Sequence, residues 1–191
     1  AWDGIIPALP SKQIDVIWSS MSITDERKKT IDFTDMYYDT ATAIIGPKNG
    51  DLDISPEHLK GKTIGVQVST THANYVDKYF GAGSTVKTYQ TQDEANQDLA
   101  AGRLDYVQAD ALALAAFLKT EQGMACCEKK AEVPPDASIL GNGVGGGIRK
   151  EDTALKDKLN AAIHALAAAG EIEKITANYP ELQGGLVIPK N

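Results

Sequence analysis

Residues 19–27, Ser-Ser-Met-Ser-Ile-Thr-Asp-Glu-Arg, set three serines, a threonine and a guanidinium directly after the apolar run Ile14-Asp15-Val16-Ile17-Trp18. Hydroxyls packed this closely beside an arginine suit a small anion. Arg27 can grip a carboxylate through two parallel N–H bonds, which lysine cannot do. Taken alone, Arg27 also reads as a solvated charge in the run Asp25-Glu26-Arg27-Lys28-Lys29. Thr70 and Thr71 precede a predicted helix, whose first N–H groups and dipole favour an anion. Asp110 stands where a strand ends and a helix opens. It reads either as an N-cap or as the partner of an ammonium, and the presence of Arg27 favours the second. A zwitterion needs both kinds of partner, because burying either pole unpaired is costly.

Other chemistries find little support. No Ser-His-Asp arrangement is visible, and the glycines of residues 141–147 lack the strand-into-helix context of a phosphate loop. His58, His72 and His164 are scattered, with no acid or thiol at ligand spacing, so neither a metal site nor a cofactor is expected. His72 is expected to face outward beside the threonines. Cys126 and Cys127 are adjacent and form no CxxC; two free thiols, a vicinal disulfide and pairing elsewhere all remain open. The net charge of −7 over 191 residues argues against nucleic acid as a partner. Apolar stretches such as Leu112–Leu118 fall far short of the ~20 residues of a membrane helix.

The elements that must carry these residues alternate. Residues 3–12 read as a helix with Asp3 as its cap, ended early by Pro10. Residues 14–18 read as a strand covered on both faces. Thr24 caps a short helix through residues 27–29. Residues 40–46, 63–68, 85–89 and 104–108 read as strands, and 71–80, 92–101 and 111–119 as helices. Residues 120–136 read as irregular, and 139–140 and 144–149 as extended. Residues 151–169 form a long amphipathic helix, broken by Gly170 before a second one ending near Asn178-Tyr179-Pro180. Such alternation predicts an α/β protein with largely parallel sheets.

An internal echo adds to this. Residues 3–20 and 93–110 both read as helix, tight turn and strand, matching Asp3 with Asp93, Leu9 with Leu99, Ile14 with Leu104 and Asp15 with Asp105. The first unit delivers Ser19-Ser20 at its strand end, the second Asp110. Ligands of open α/β sheets sit beyond strand carboxyl ends. Two lobes facing one cleft are the expectation.

The segments "WDGIIPAL", "IDVIWSSMSITDERKKTIDFTDMYY", "GKTIGVQVSTTHANYV", "AGRLDYVQAD" and "GVGGGIRKEDTALKDKLNAAI" stand in one order and spacing. Together they resemble the periplasmic amino-acid-binding proteins of ABC importers, the group related to lysine/arginine/ornithine- and histidine-binding proteins. The resemblance covers nearly the whole chain. It implies a two-lobed, type II periplasmic-binding-protein-like α/β fold, joined by a strand hinge, that closes over one amino acid. By the same resemblance Trp2 stacks on the ligand, although it also reads as a core residue. Ser20, Met21 and Ser22 meet the ligand's ammonium and carboxylate, and Arg27 grips the carboxylate. Thr70 and Thr71 offer it a helix N-terminus, and Asp110 takes the ammonium. The implied ligand is a polar or basic amino acid or an opine, the implied partner an inner-membrane ABC permease, and the implied location the periplasm.

The resemblance begins at Trp2, after the strand-helix-strand block with which such chains open. Lobe 1, from 1–41 and 139–191, is therefore expected to be partial, and lobe 2, from 42–138, complete. Completion by a separate N-terminal segment, or by domain swapping into a dimer, is the corresponding expectation. Two further readings of the scaffold are an enzyme resembling cyclohexadienyl or arogenate dehydratases and the sensor domain of a receptor.

Overall fold

The β-branched stretches around residues 42–47, 63–67 and 106–110 form neighbouring strands, buried through their middles. The computed structural model of the chain describes residues 1–179 and 186–187. It divides into two compact units, one of Ala1–Asp3 with Ala41–Pro135, the other of Gly4–Thr40 with the chain from Asp136 onward. In chain order, a 3-10 turn Trp2–Gly4 leads to α1 (Ile5–Ala8), α2 (Asp25–Lys28), β1 (Asp32–Phe33), β2 (Asp39–Thr40) and β3 (Thr42–Pro47). There follow β4 (Thr63–Gln67), α3 (Thr71–Phe80), β5 (Thr85–Tyr89), α4 (Gln92–Ala100), β6 (Tyr106–Asp110), α5 (Ala111–Leu118), α6 (Glu121–Cys126) and β7 (Cys127–Glu132). The chain continues through α7 (Ala137–Leu140), β8 (Gly147–Ile148), α8 (Thr153–Ala168), α9 (Glu171–Thr176) and β9 (Leu186–Val187).

The first unit is built on a five-stranded sheet, ordered β5-β4-β6-β3-β7 among the described residues. β4 runs parallel to β5 and β6, whereas β3 runs antiparallel to β6 and β7. The sheet is thus mixed rather than largely parallel, because the chain enters the unit through β3 and leaves it after β7. Side chains alternate across β6. Val107 and Ala109 pack with Ile45, Ala95, Leu99, Leu104 and Leu114 on one face. Tyr106, Gln108 and Asp110 therefore share the other. Helix ends are well specified. Thr70 caps α3 by accepting from the Ala73 N–H, and Thr91 with Glu94 closes a reciprocal capping box on α4.

Residues 120–136, expected to be irregular, instead hold α6 and β7. β7 reads Cys-Glu-Lys-Lys-Ala-Glu, whose charges mask the strand in sequence. Its edge position tolerates them: the Lys130 ammonium is buried but paired with Glu128 at 2.6 Å. The cysteines are joined to each other as a vicinal disulfide at the α6–β7 junction.

The second unit is less regular. The helix expected over 3–12 shrinks to a 3-10 turn and α1, with turns to Lys12. Residues 14–18 do not form a doubly covered strand. Ile17 alone is buried, through one antiparallel bridge to Gly147, while Trp18 is 48% exposed. Among the described residues the run has this one ladder partner. Arg149 fixes it instead, donating to the carbonyls of Leu9 and Ile14 and to the Asp15 carboxylate at 3.2, 2.7 and 2.7 Å. Residues 139–140 belong to α7 rather than an extended segment, since the Asp136 carboxylate accepts from the Ser138 N–H and caps that turn. Pro180 lies outside the described residues.

Candidate functional site

In the second unit, Thr24 is the N-cap of α2, and its side chain accepts from the Arg27 N–H at 3.2 Å. That cap turns Arg27 inward, away from the exposed charges of Asp25, Glu26 and Lys28. Arg27 is 9% exposed, and its Nη1 donates to the Ser22 carbonyl at 2.9 Å. Burial lowers its pKa to about 10. The reading of Arg27 as a solvated charge is set aside by this burial. A guanidinium in such surroundings gains from an added anion, because each favourable charge contact offsets lost hydration.

Ser20 adopts φ 52°, which a non-glycine residue holds only when its surroundings fix it. Tyr38 does so: its hydroxyl meets Ser20 Oγ. Burial, with Tyr38 adding, pushes the Tyr37 hydroxyl pKa well up. Tyr37 in turn stacks on Trp18 at 4.6 Å between ring centroids. Met21 is fully buried, so its side chain belongs to the interior of the unit. Ser22 bridges to Val144, and the Gly145 N–H donates to the Met21 carbonyl. The glycines of 141–147 thus serve as a close-fitting backbone partner for the serine loop. At Gly143, with φ 81°, a Cβ would strike Met36. Tyr38 and this glycine run shape the serine loop, a role not read from the sequence; the dense glycines were the one visible signal.

In the first unit, Thr70 and Thr71 are buried at the start of α3. The preceding Ser69 has φ 61°, and its carbonyl accepts from the Trp2 indole N–H at 3.2 Å. Ser20 and Ser69 therefore each hold a left-handed conformation just ahead of the hydroxyl groups singled out from sequence. Asp110 ends β6 and caps α5, accepting from the Leu112 N–H at 2.8 Å. It is half-buried and lies directly opposite Thr42 in the sheet. His72 does not face outward as expected. It is half-buried, with Nδ1 3.3 Å from Thr42 Oγ1. Trp2, Thr70, Thr71 and Asp110 thus belong to one unit, and Ser20, Met21, Ser22 and Arg27 to the other.

Residues 1–181 match the bacterial extracellular solute-binding proteins, family 3. The chain belongs to that family. This solute-binding protein is 43% identical over 180 residues to the L-arginine-binding protein of Pseudomonas aeruginosa, covering 93% of this chain and 69% of the relative. It is 38% identical over 181 residues to the histidine-binding periplasmic protein of Escherichia coli K12, covering 93% and 68%. Among solved structures, an ancestral arginine-binding protein bound to arginine superposes with a TM-score of 0.83 at 36% identity, covering 94% of this chain and 77% of that one. The two-lobed amino-acid-binding fold is therefore the fold of this mixed α/β chain.

Proposed function

We propose that this solute-binding protein captures one free amino acid in the periplasm and delivers it to an ABC permease, without turning it over. A ligand with a cationic side chain, arginine foremost, is the reading that its relatives' ligands support; an opine is the alternative ligand. The observation that carries the proposal is the buried Arg27, pre-set on the Ser22 carbonyl with its pKa lowered by burial. A carboxylate arriving there adds a favourable contact that offsets the hydration lost on burial.

The remaining roles are those the family resemblance implies. Ser20 and Ser22 meet the ligand's ammonium and carboxylate, and the threonines at the N-terminus of α3 reinforce the hold on the carboxylate with backbone N–H groups. Asp110 receives the α-ammonium, and the ring of Trp2 lies along the ligand. The two units act as two lobes, so that a ligand engaging both favours the closed form by its differential affinity.

Calorimetric titration with a panel of amino acids and opines, beside turnover assays on prephenate and arogenate, tests this. Tight one-to-one binding of a basic amino acid without turnover is expected. Turnover of either cyclohexadiene substrate would instead establish a dehydratase. Light scattering on the same samples reads out exchange between molecules: a dimer is the outcome that swapping requires, and a stable monomer removes it.

A further inference from the structure

Gln108 is the one glutamine in the interior of the first unit, at 0% exposed. It sits mid-strand in β6, opposite Ile44, with Ile44, Ile64, Val66 and Val76 fully buried in the same unit. Its Nε2 donates to the His72 carbonyl at 3.4 Å, while its Oε1 is buried with no hydrogen-bond partner among the described residues. A buried carbonyl left unpaired is costly, and an apolar side chain of similar volume would avoid that cost. Natural sequences keep such a group where function needs it.

The surroundings indicate the need. Gln108 and Asp110 share a face of β6, and Thr42 stands opposite Asp110. His72 is held at two points, its carbonyl by Gln108 and its ring by Thr42. His72 lies in the first turn of α3, directly after Thr70 and Thr71. We infer that Gln108 is a positioning residue of the amino-acid site: it pins the first turn of α3 so that its N–H groups keep their aim at the ligand carboxylate, and stability is given up for that aim. The inference rests on the amino-acid-binding reading above. It differs from a purely structural role in one respect, since stability and affinity must move in opposite directions when Gln108 is replaced.

The test is Gln108→Leu, with Gln108→Met as a second variant of closer shape. Three quantities are read: Tm without ligand, Kd for L-arginine, and hydrogen exchange of the amides in the first turns of α3 and α4. The ligand-free Tm should rise by about 2–4 °C. Affinity for L-arginine should weaken about tenfold. Exchange should quicken at Thr71–Ala73 and stay unchanged in α4. Unchanged affinity in both variants, or Tm and affinity falling together, would overturn the inference. If the wild-type chain binds no amino acid, the proposed function fails on its own account. Exchange at Thr71–Ala73 then decides the role of Gln108, and unchanged rates reject it.

Discussion

Arg27→Ala removes the only buried guanidinium among the described residues of the serine loop and its helix. Truncating one member of a desolvated charge pair typically costs about 2–5 kcal/mol. Affinity for every α-amino acid should therefore fall by roughly 30-fold to several thousand-fold. Lys28→Ala, an exposed neighbour, should leave binding within about twofold. Titration calorimetry on both variants distinguishes them, and an Arg27→Ala protein that binds normally would misplace the site. At this scale the sequence was informative where residue type decides the chemistry. The hydroxyl-rich run and its arginine stand out by residue type, and the burial of Arg27 agrees with a role other than a solvated charge. The inward turn of His72 was not, because it depends on a Thr42 hydroxyl thirty positions away. The orphaned Oε1 of Gln108 was equally hidden, because glutamine in a strand gives no sign of which groups surround it.

Among the elements, caps connect sequence to site. Thr70 orders α3 and also stands at the proposed anion position, whereas Thr91 orders α4 through a capping box. Thr70→Ala and Thr91→Ala should each cost about 1 kcal/mol of stability. Chemical denaturation should show comparable losses, but only Thr70→Ala should weaken ligand binding; equal effects on affinity would deny α3 its special part. The helices and strands of residues 63–119 were legible to within two residues, the strand expected over 104–108 lying at Tyr106–Asp110, since cap, periodicity and glycine stop agree there. Elements failed to be legible where a local rule was overruled. The charged β7 pairs as an edge strand despite its composition. The apolar run at 14–18 reads as a strand but, among the described residues, has a ladder partner at one residue only.

Across the whole molecule, a net charge of −7 is carried with few buried ions, and acid stability turns on particular carboxylates. Arg103, then Lys87 and the Tyr89 hydroxyl, hold the Asp98 carboxyl well below the usual carboxylate range. A carboxyl depressed on folding stabilises above its unfolded pKa of ~3.9, and that contribution disappears as pH falls below it. Asp98→Asn should be less stable than the wild type at pH 7. The gap between the two stability curves should begin to narrow as pH falls below about 4 and close only as pH passes below the depressed folded pKa, as circular dichroism at stepped pH will show. A constant gap would mean that Asp98 acts through packing rather than charge.

The central claim is that Arg27 holds the carboxylate of an amino acid and Asp110 its ammonium. It is tested most directly by calorimetric titration of L-arginine, agmatine (which lacks the carboxylate) and 5-guanidinopentanoate (which lacks the ammonium) into wild type, Arg27→Ala and Asp110→Asn. Asparagine preserves the cap on α5 while removing the charge. The wild type should prefer arginine over both analogues. Arg27→Ala should bind arginine no better than agmatine, and Asp110→Asn should bind arginine no better than the des-amino analogue. Either variant retaining the wild-type preference against its own analogue would contradict the account.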